Sequence, residues 1–177
     1  MRRVLVVSAI IVAACRAKDT PASKPVTDSA FAAVQARGAA VMGVDQHTAA
    51  HVFEDLPDGG RIVLDRGDTT DMAGIATIRV HMREIAGDFR DGNFSKPFAV
   101  HAMDVPGTAV MTERRAKISY EAVDRPHGAE VRIRTGDPEA VSAIHEFLAF
   151  QRSDHRAAGH EGMDHSAPTA TPPSPRP

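Results

Sequence analysis

The chain contains one cysteine, Cys15, one tyrosine and no tryptophan. A single cysteine excludes a disulfide within the chain, a CxxC redox pair and a zinc site built from four cysteines. The shortage of large aromatic residues leaves few surfaces on which nucleic-acid bases or sugars could stack. A formal net charge of −2 also argues against the basic face that nucleic-acid binding requires. We therefore expect no nucleic-acid partner.

The N-terminal apolar run, residues 4–14, is too short to be a membrane-spanning helix. It follows Arg2 and Arg3 and leads through small residues into Cys15, which is the layout of an export signal. The letters "VAAC" resemble a bacterial lipobox, in which the cysteine becomes the lipid-modified first residue after cleavage. The alternative is a plain signal peptide with a chance cysteine. We predict a lipoprotein signal peptide over residues 1–14, with palmitate and further acyl chains on Cys15.

Arg16, which follows the modified cysteine, bears on the location of the lipid-anchored protein. A residue other than aspartate at this position fits the rule by which some bacterial lipoproteins reach the outer membrane. The sequence thus predicts a protein of the cell envelope, attached through its lipid to the outer membrane and facing the periplasm.

Motifs that carry known catalytic chemistry are missing from the sequence. It contains no GxSxG elbow, no GxxxxGK[ST] phosphate loop, no GxGxxG turn and no HExxH helix. Carboxylates are abundant, but their spacing places no pair for acid–base catalysis. Enzymatic activity is left open, with a binding protein favoured.

Composition divides the chain into segments. Residues 15–27 are polar with two prolines and predict a tether, and residues 28–156 predict a single domain. Residues 157–177 are rich in His, Met and Pro and have too little apolar surface to fold, so we predict a disordered tail.

The pattern within the domain predicts an α+β fold, a two-layer sandwich of two ββα units. A helix over 29–43 precedes them. Alternating residues and turn signals predict four strands near 50–56, 60–66, 117–124 and 129–135. Residues 70–89 and 138–153 have the helical spacing of a buried stripe, and Asp137 and Pro138 predict where the second helix begins. The strands would form a four-stranded antiparallel sheet with both helices on one face.

Histidine is abundant, with nine residues, and three of them follow one another at intervals of five towards the C-terminus: His155, His160 and His165. With Met163, these residues resemble the Met/His-rich stretches of envelope proteins that handle copper, since thioether and imidazole are copper ligands. A solvated low-complexity tail is the alternative. We expect the last helix to end near His155, which would then belong to the fold.

The segments "VMGVDQHTAAHVFEDLPDGGRIVLDR", "VHAMDVPGTAVM" and "AIHEFLAFQRSDH" resemble an uncharacterised family of small bacterial envelope proteins and lipoproteins. Some of its members carry an automatic label of aspartate carbamoyltransferase. That label does not fit this chain, which is too short for a two-domain enzyme and has no carbamoyl-phosphate loop. The family's motifs match at Met42-Gly43, Asp45-Gln46, His51, Phe53, Gly59-Gly60, His81, His101, Val105-Pro106-Gly107, Met111, His145 and Phe150-Gln151.

The resemblance implies the fold and the envelope location but no known activity. Four histidines at positions that match the family's motifs are candidates for a folded metal site: His51, His81, His101 and His145. Met42, Met103 and Met111 are possible soft ligands, and His101 and Met103 would share one side of an extended segment. For His81 and His145, which flank the apolar stripes of their helices, simple packing is the alternative. The first hypothesis is an envelope lipoprotein that binds or buffers a transition metal, copper before zinc. The second is a non-metal module that binds a small molecule or protein partner. The partner would lie in the groove beside the inter-repeat segment, the stretch of chain that connects the two ββα units.

Overall fold

A computed structural model describes residues 28–43 and 48–157. The elements in chain order are α1 (Asp28–Met42), β1 (Ala49–Leu56), β2 (Gly59–Arg66), α2 (Met72–Arg90), α3 (Ser95–His101), α4 (Thr108–Glu113), a 3₁₀ turn (Arg115–Lys117), β3 (Ile118–Arg125), β4 (Gly128–Thr135) and α5 (Pro138–His155). The predicted α+β class and the four-stranded antiparallel sheet are confirmed. Within the described residues, no helix is long and apolar enough to cross a membrane.

The sheet joins two hairpins through their second strands, in the order β1-β2-β4-β3 with all pairs antiparallel. Gly59 and Gly60 follow the β1–β2 turn and begin β2. Gly59 has φ 141°, and a Cβ there would lie 2.2 Å from the carbonyl oxygen of Ile133 on β4. Glycine is therefore required where the first hairpin meets the second.

One face of the sheet carries the core, because α2 and α5 both pack against it. The predicted stripe of α2 is buried from Ile75 to Phe89, and α5 buries Ile144, Phe147 and Leu148. These side chains meet Phe53 and other inward-facing strand residues in one continuous apolar cluster. The prediction of two ββα units with their helices on one face is confirmed.

Local capping explains where these helices begin. Asp137 accepts a hydrogen bond from the backbone N–H of Glu139 at 3.1 Å, and Pro138 is the first residue of α5, as predicted. The start of α2 differs from the prediction, because Asp71 accepts from Gly74 N–H at 2.9 Å and so caps the helix. Asp68 instead accepts from Thr70 N–H within the preceding turn.

The segment between the two units forms helices that close one end of the core. His101 was expected on an extended stretch beside Met103, and this prediction is wrong. It is the last residue of α3, and Ala102 follows with φ 55°. The left-handed residue turns the chain, so His101 is buried whereas Met103 is 49% exposed. The two side chains do not share a side.

α1 packs on α3 and α5 and covers the same end of the molecule. Arg37 donates from Nε to the carbonyl oxygen of Val100 on α3 at 2.6 Å. Arg156, which caps α5 in a left-handed conformation, bonds Asp28 at 2.8 Å and places its guanidinium 4.4 Å from the ring centre of Phe31. These contacts attach α1 to the two helices that carry His101 and His155.

Candidate functional site: a histidine-lined cavity

A cavity of about 80 Å³ lies between the sheet, α2 and α5, at the end closed by α1 and α3. Its wall is mostly apolar, with Phe53, Phe89 and Phe147 among its side chains. Four histidines also line it: His51, His81, His101 and His155. A concave apolar site with a few polar groups directed into it is the usual form of a ligand site.

The position of each histidine in its strand or helix explains why its side chain lines the cavity. His51 precedes Phe53 by two residues on β1 and so shares its inward face. His81 is the neighbour of buried Met82 on α2. His155 lies seven residues after Leu148 on α5, which returns it to nearly the same helical face. The prediction that α5 extends to His155 is confirmed.

The imidazole of His155 lies close to the rings of two other histidines. Its ring centre is 5.4 Å from that of His51, with the planes nearly parallel at 15°. The ring of His101 is 5.0 Å away from it and nearly perpendicular at 87°. Phe53, at 5.7 Å, completes an aromatic environment around His155. Three histidines from β1, α3 and α5 thus come together across more than fifty residues of sequence.

His101 is held on both of its ring nitrogens. Nδ1 is hydrogen-bonded to a carboxylate oxygen of Asp154, and Nε2 lies 3.0 Å from Oε1 of Gln151. Asp154 and Gln151 both lie on α5, so His101 ties α3 to the helix that carries His155. A carboxylate that holds a histidine ring is a common way to fix its orientation next to a metal site.

Nδ1 of His155 is buried and has no hydrogen-bond partner within the described residues. An unpaired buried nitrogen costs about 1–3 kcal/mol relative to a paired one. It therefore marks a position where a ligand would gain an interaction that the free protein lacks.

Burial favours the neutral form of three of the cavity histidines, His51, His81 and His155. It lowers the pKa of His51 from 6.5 to about 4, with a smaller contribution from His81. It lowers the pKa of His155 from 6.5 to about 3, and the neighbouring rings of His51 and His101 add to the effect. The pKa of His81 is also lowered by burial, and then by the Lys96 ammonium. Neutral imidazole is the form that binds metals.

His145 lies away from this cavity, although the sequence grouped it with the other three. Its Nε2 is 2.9 Å from the carbonyl oxygens of both Leu56 and Gly59, at the turn between β1 and β2. Nε2–H therefore donates to the hairpin, and the ring joins α5 to the sheet. His145 is explained by packing, the alternative reading of the sequence.

The other predicted ligands are divided between cavity, core and surface. Met42, the last residue of α1, lines the cavity. Met111 is fully buried in the core and Met103 is exposed, and neither lines the cavity. Cys15, His160, Met163 and His165 lie outside the described residues, as do the predicted signal peptide and tether and residues 158–177 of the predicted tail.

Sequence reasoning missed Gln151 and Asp154 as the residues that hold His101. A signal was present, because positions 151, 154 and 155 are three and four residues apart and share one face of a helix.

In residues 28–43 and 48–157, no three His, Cys, Asp or Glu side chains are grouped so that they could hold a metal ion. A ligand set made only of these residue types is therefore not preformed there. Comparison with known proteins finds no matching family model, no matching curated protein and no matching solved structure.

Proposed function

We propose that the protein binds a transition metal ion, copper before zinc, in the histidine-lined cavity. The observation that carries the proposal is the neutral ring of His155, whose buried Nδ1 has no partner within the described residues and which stacks on neutral His51. A metal that binds these rings would turn an unfavourable buried nitrogen into a ligand. Imidazole binds copper and zinc well.

The size of the cavity favours an ion over an organic ligand. Sites for drug-sized molecules occupy roughly 300–1,000 Å³, and even benzene fills a cavity of roughly 150 Å³. The cavity here has about 80 Å³, which accepts an ion but not an organic molecule without displacement of α1 or α3. For this cavity, the size therefore favours a metal ion over an organic ligand.

The ligand set must extend beyond histidine and carboxylate, since the described residues contain no group of three such side chains arranged for a metal. His101 already bonds through both ring nitrogens. His51 and His155 are then the first two ligands, and a donor of another type completes the set. His81 is the next imidazole along the cavity wall, beyond His51.

The alternative is a non-metal module that binds a small molecule or protein partner. The mostly apolar wall of the cavity, which α3 of the inter-repeat segment helps to form, favours it. Such a ligand would have to move the surrounding helices, so its binding would alter the contacts of α1.

Metal analysis and titration test the proposal on full-length protein purified without a histidine tag. Copper and zinc are measured in the purified protein and then titrated into wild type, His51→Phe and His155→Phe. Phenylalanine keeps an aromatic ring in the stack but removes the nitrogen ligand. We expect each variant to bind the tightest copper equivalent at least about tenfold more weakly, a difference of roughly 1.4 kcal/mol.

His127→Phe is the matched control, because His127 is exposed in the β3–β4 turn and does not line the cavity. It should bind copper as the wild type does. Equal copper binding by wild type, His51→Phe and His155→Phe would contradict a site in the cavity. Circular dichroism and thermal unfolding establish that each variant is folded.

The proposed metal protein is attached to the envelope through Cys15, with its domain facing the periplasm. Because several acyl chains anchor a protein stably, Cys15→Ala should release it from the membrane fraction. Membrane fractionation and labelling with a fatty acid measure this directly. A Cys15→Ala variant that stays in the membrane fraction would contradict the lipid anchor.

A further inference from the structure

The charge of the cavity wall differs from that of a site for a divalent ion. Among the described residues that line it there is no Asp or Glu, and Lys96 is the charged member. The Lys96 ammonium is already paired with Asp88 at 2.5 Å and Glu84 at 3.4 Å. Asp154 lies behind His101 and does not line the cavity. An ion in this cavity would therefore meet neutral ligands and no compensating anion from its wall.

Ionic charge decides which metal such a site accepts. The cost of moving an ion out of water increases with the square of its charge, so a divalent ion costs roughly four times as much as a monovalent ion of equal radius. A site without carboxylates in a mostly apolar wall leaves that larger cost uncompensated. Monovalent copper is the ion that this environment disfavours least.

The third donor available in the cavity is a thioether. Met42 lies at the C-terminal end of α1 and lines the cavity while remaining partly buried. Met82 also lines it, but belongs to the closely packed core at 2% exposure. α1 keeps Met42 in place through the contacts of Arg37 with α3 and of Arg156 with Asp28. Thioether sulfur is a soft, neutral ligand that selects copper in its monovalent state.

Given the metal site proposed above, we infer that it is selective for Cu(I), which is bound by His51, His155 and the thioether of Met42. His101 is a positioning residue, because Asp154 and Gln151 occupy its two nitrogens and its ring packs against His155. Binding involves no change in oxidation state. The protein takes up Cu(I) as supplied and holds it away from water.

The test is an anaerobic Cu(I) titration of the full chain against a chromogenic Cu(I) chelator, with Zn(II) and Cu(II) titrated separately. We expect the site that requires His51 and His155 to bind Cu(I) at least about 100-fold more tightly than Zn(II), roughly 2.7 kcal/mol. Met42→Leu, which keeps the apolar volume, should weaken Cu(I) binding at least about tenfold. Met103→Leu is the control, since Met103 is exposed and does not line the cavity.

X-ray absorption at the copper edge provides a second readout. A sulfur neighbour should be present in wild type and Met103→Leu and absent in Met42→Leu. Preference of the cavity for Zn(II) or Cu(II), or retention of the sulfur in Met42→Leu, would overturn the Cu(I) inference while leaving the metal site itself in place. Binding that is indifferent to both His51→Phe and His155→Phe would remove the metal site, and the inference with it.

Discussion

The two histidines of α5 lie ten residues apart on one helix and have opposite surroundings. His145 donates to two carbonyl oxygens of the β1–β2 turn, so its polar atom is paired in the folded protein. His155 lies at the cavity end, and its buried Nδ1 has no partner in the described part of the chain. The hydrogen bonds of His145 join α5 to the sheet, whereas Nδ1 of His155 makes no such bond to the described residues. An abundance of histidine therefore does not by itself identify a site, and the proposal depends on the surroundings of each ring.

The largest expected effect is that substitutions at these two positions change different properties: one lowers stability and the other lowers copper affinity. His145→Phe loses the hydrogen bonds to Leu56 and Gly59 and should lower the free energy of unfolding by about 1–2 kcal/mol, a few °C in Tm. Its copper affinity should stay at the wild-type value. His155→Phe should weaken copper binding without loss of stability, because it removes an unpaired nitrogen. Urea unfolding measures the stability of both variants, and copper titration measures their copper affinity.

A loss of stability in His155→Phe equal to that in His145→Phe would show that both rings have the same structural role. The proposal that His145 is structural and His155 is a metal ligand would then be wrong.

A second expected effect concerns pH. The pKa of His155 is about 3 in the folded protein and about 6.5 when unfolded, and that of His51 is about 4. Above pH 6.5 both states hold these rings neutral. Between pH 6.5 and about 4, the unfolded chain takes up protons that the folded chain excludes, so the free energy of unfolding falls as the pH falls.

His155→Phe should therefore lose less stability than wild type between pH 7 and pH 5, by about 2 kcal/mol. Urea unfolding at the two pH values checks this, with His127→Phe as the control. The same pH dependence in wild type and His155→Phe would mean that His155 is not kept neutral by the fold.

The smallest expected effect on the fold comes from truncation after Arg156, which removes His160, Met163 and His165. α5 is complete at His155, so the Tm should change by no more than about 1 °C. Copper stoichiometry should decrease while the tightest site remains, because a predicted disordered tail must lose entropy to hold a metal. Loss of all copper binding on truncation would place the site in the tail alone.

The contrast between His145 and His155 also shows what the sequence could not supply. Helical spacing predicted α2 and α5, and alternation predicted the four strands, because both patterns follow from burial along one element. The same spacing put His81 and His145 at equivalent flanks of their stripes. Only the neighbouring element separates them: His81 faces the cavity and His145 faces two turn carbonyls. The spacing of residues within one helix does not contain this information, because it depends on how neighbouring elements pack.

α3 shows a second limit of sequence reasoning. The segment around His101 was interpreted as extended because His–x–Met alternation suits a strand, but Pro97 lies in the first turn of a helix, where proline is tolerated. The helix places His101 against Gln151 and Asp154, fifty and fifty-three residues away in sequence. No local pattern encodes that contact. The prediction of a histidine site thus contained three of the cavity residues without the residues that orient them.

The most direct measurement of the central claim is an anaerobic copper titration of full-length wild type, His145→Phe and His155→Phe, in parallel. We predict one tight copper equivalent in wild type and in His145→Phe, and at least about tenfold weaker binding in His155→Phe. Equal affinity in all three proteins, or loss of copper binding in His145→Phe alone, would contradict this prediction.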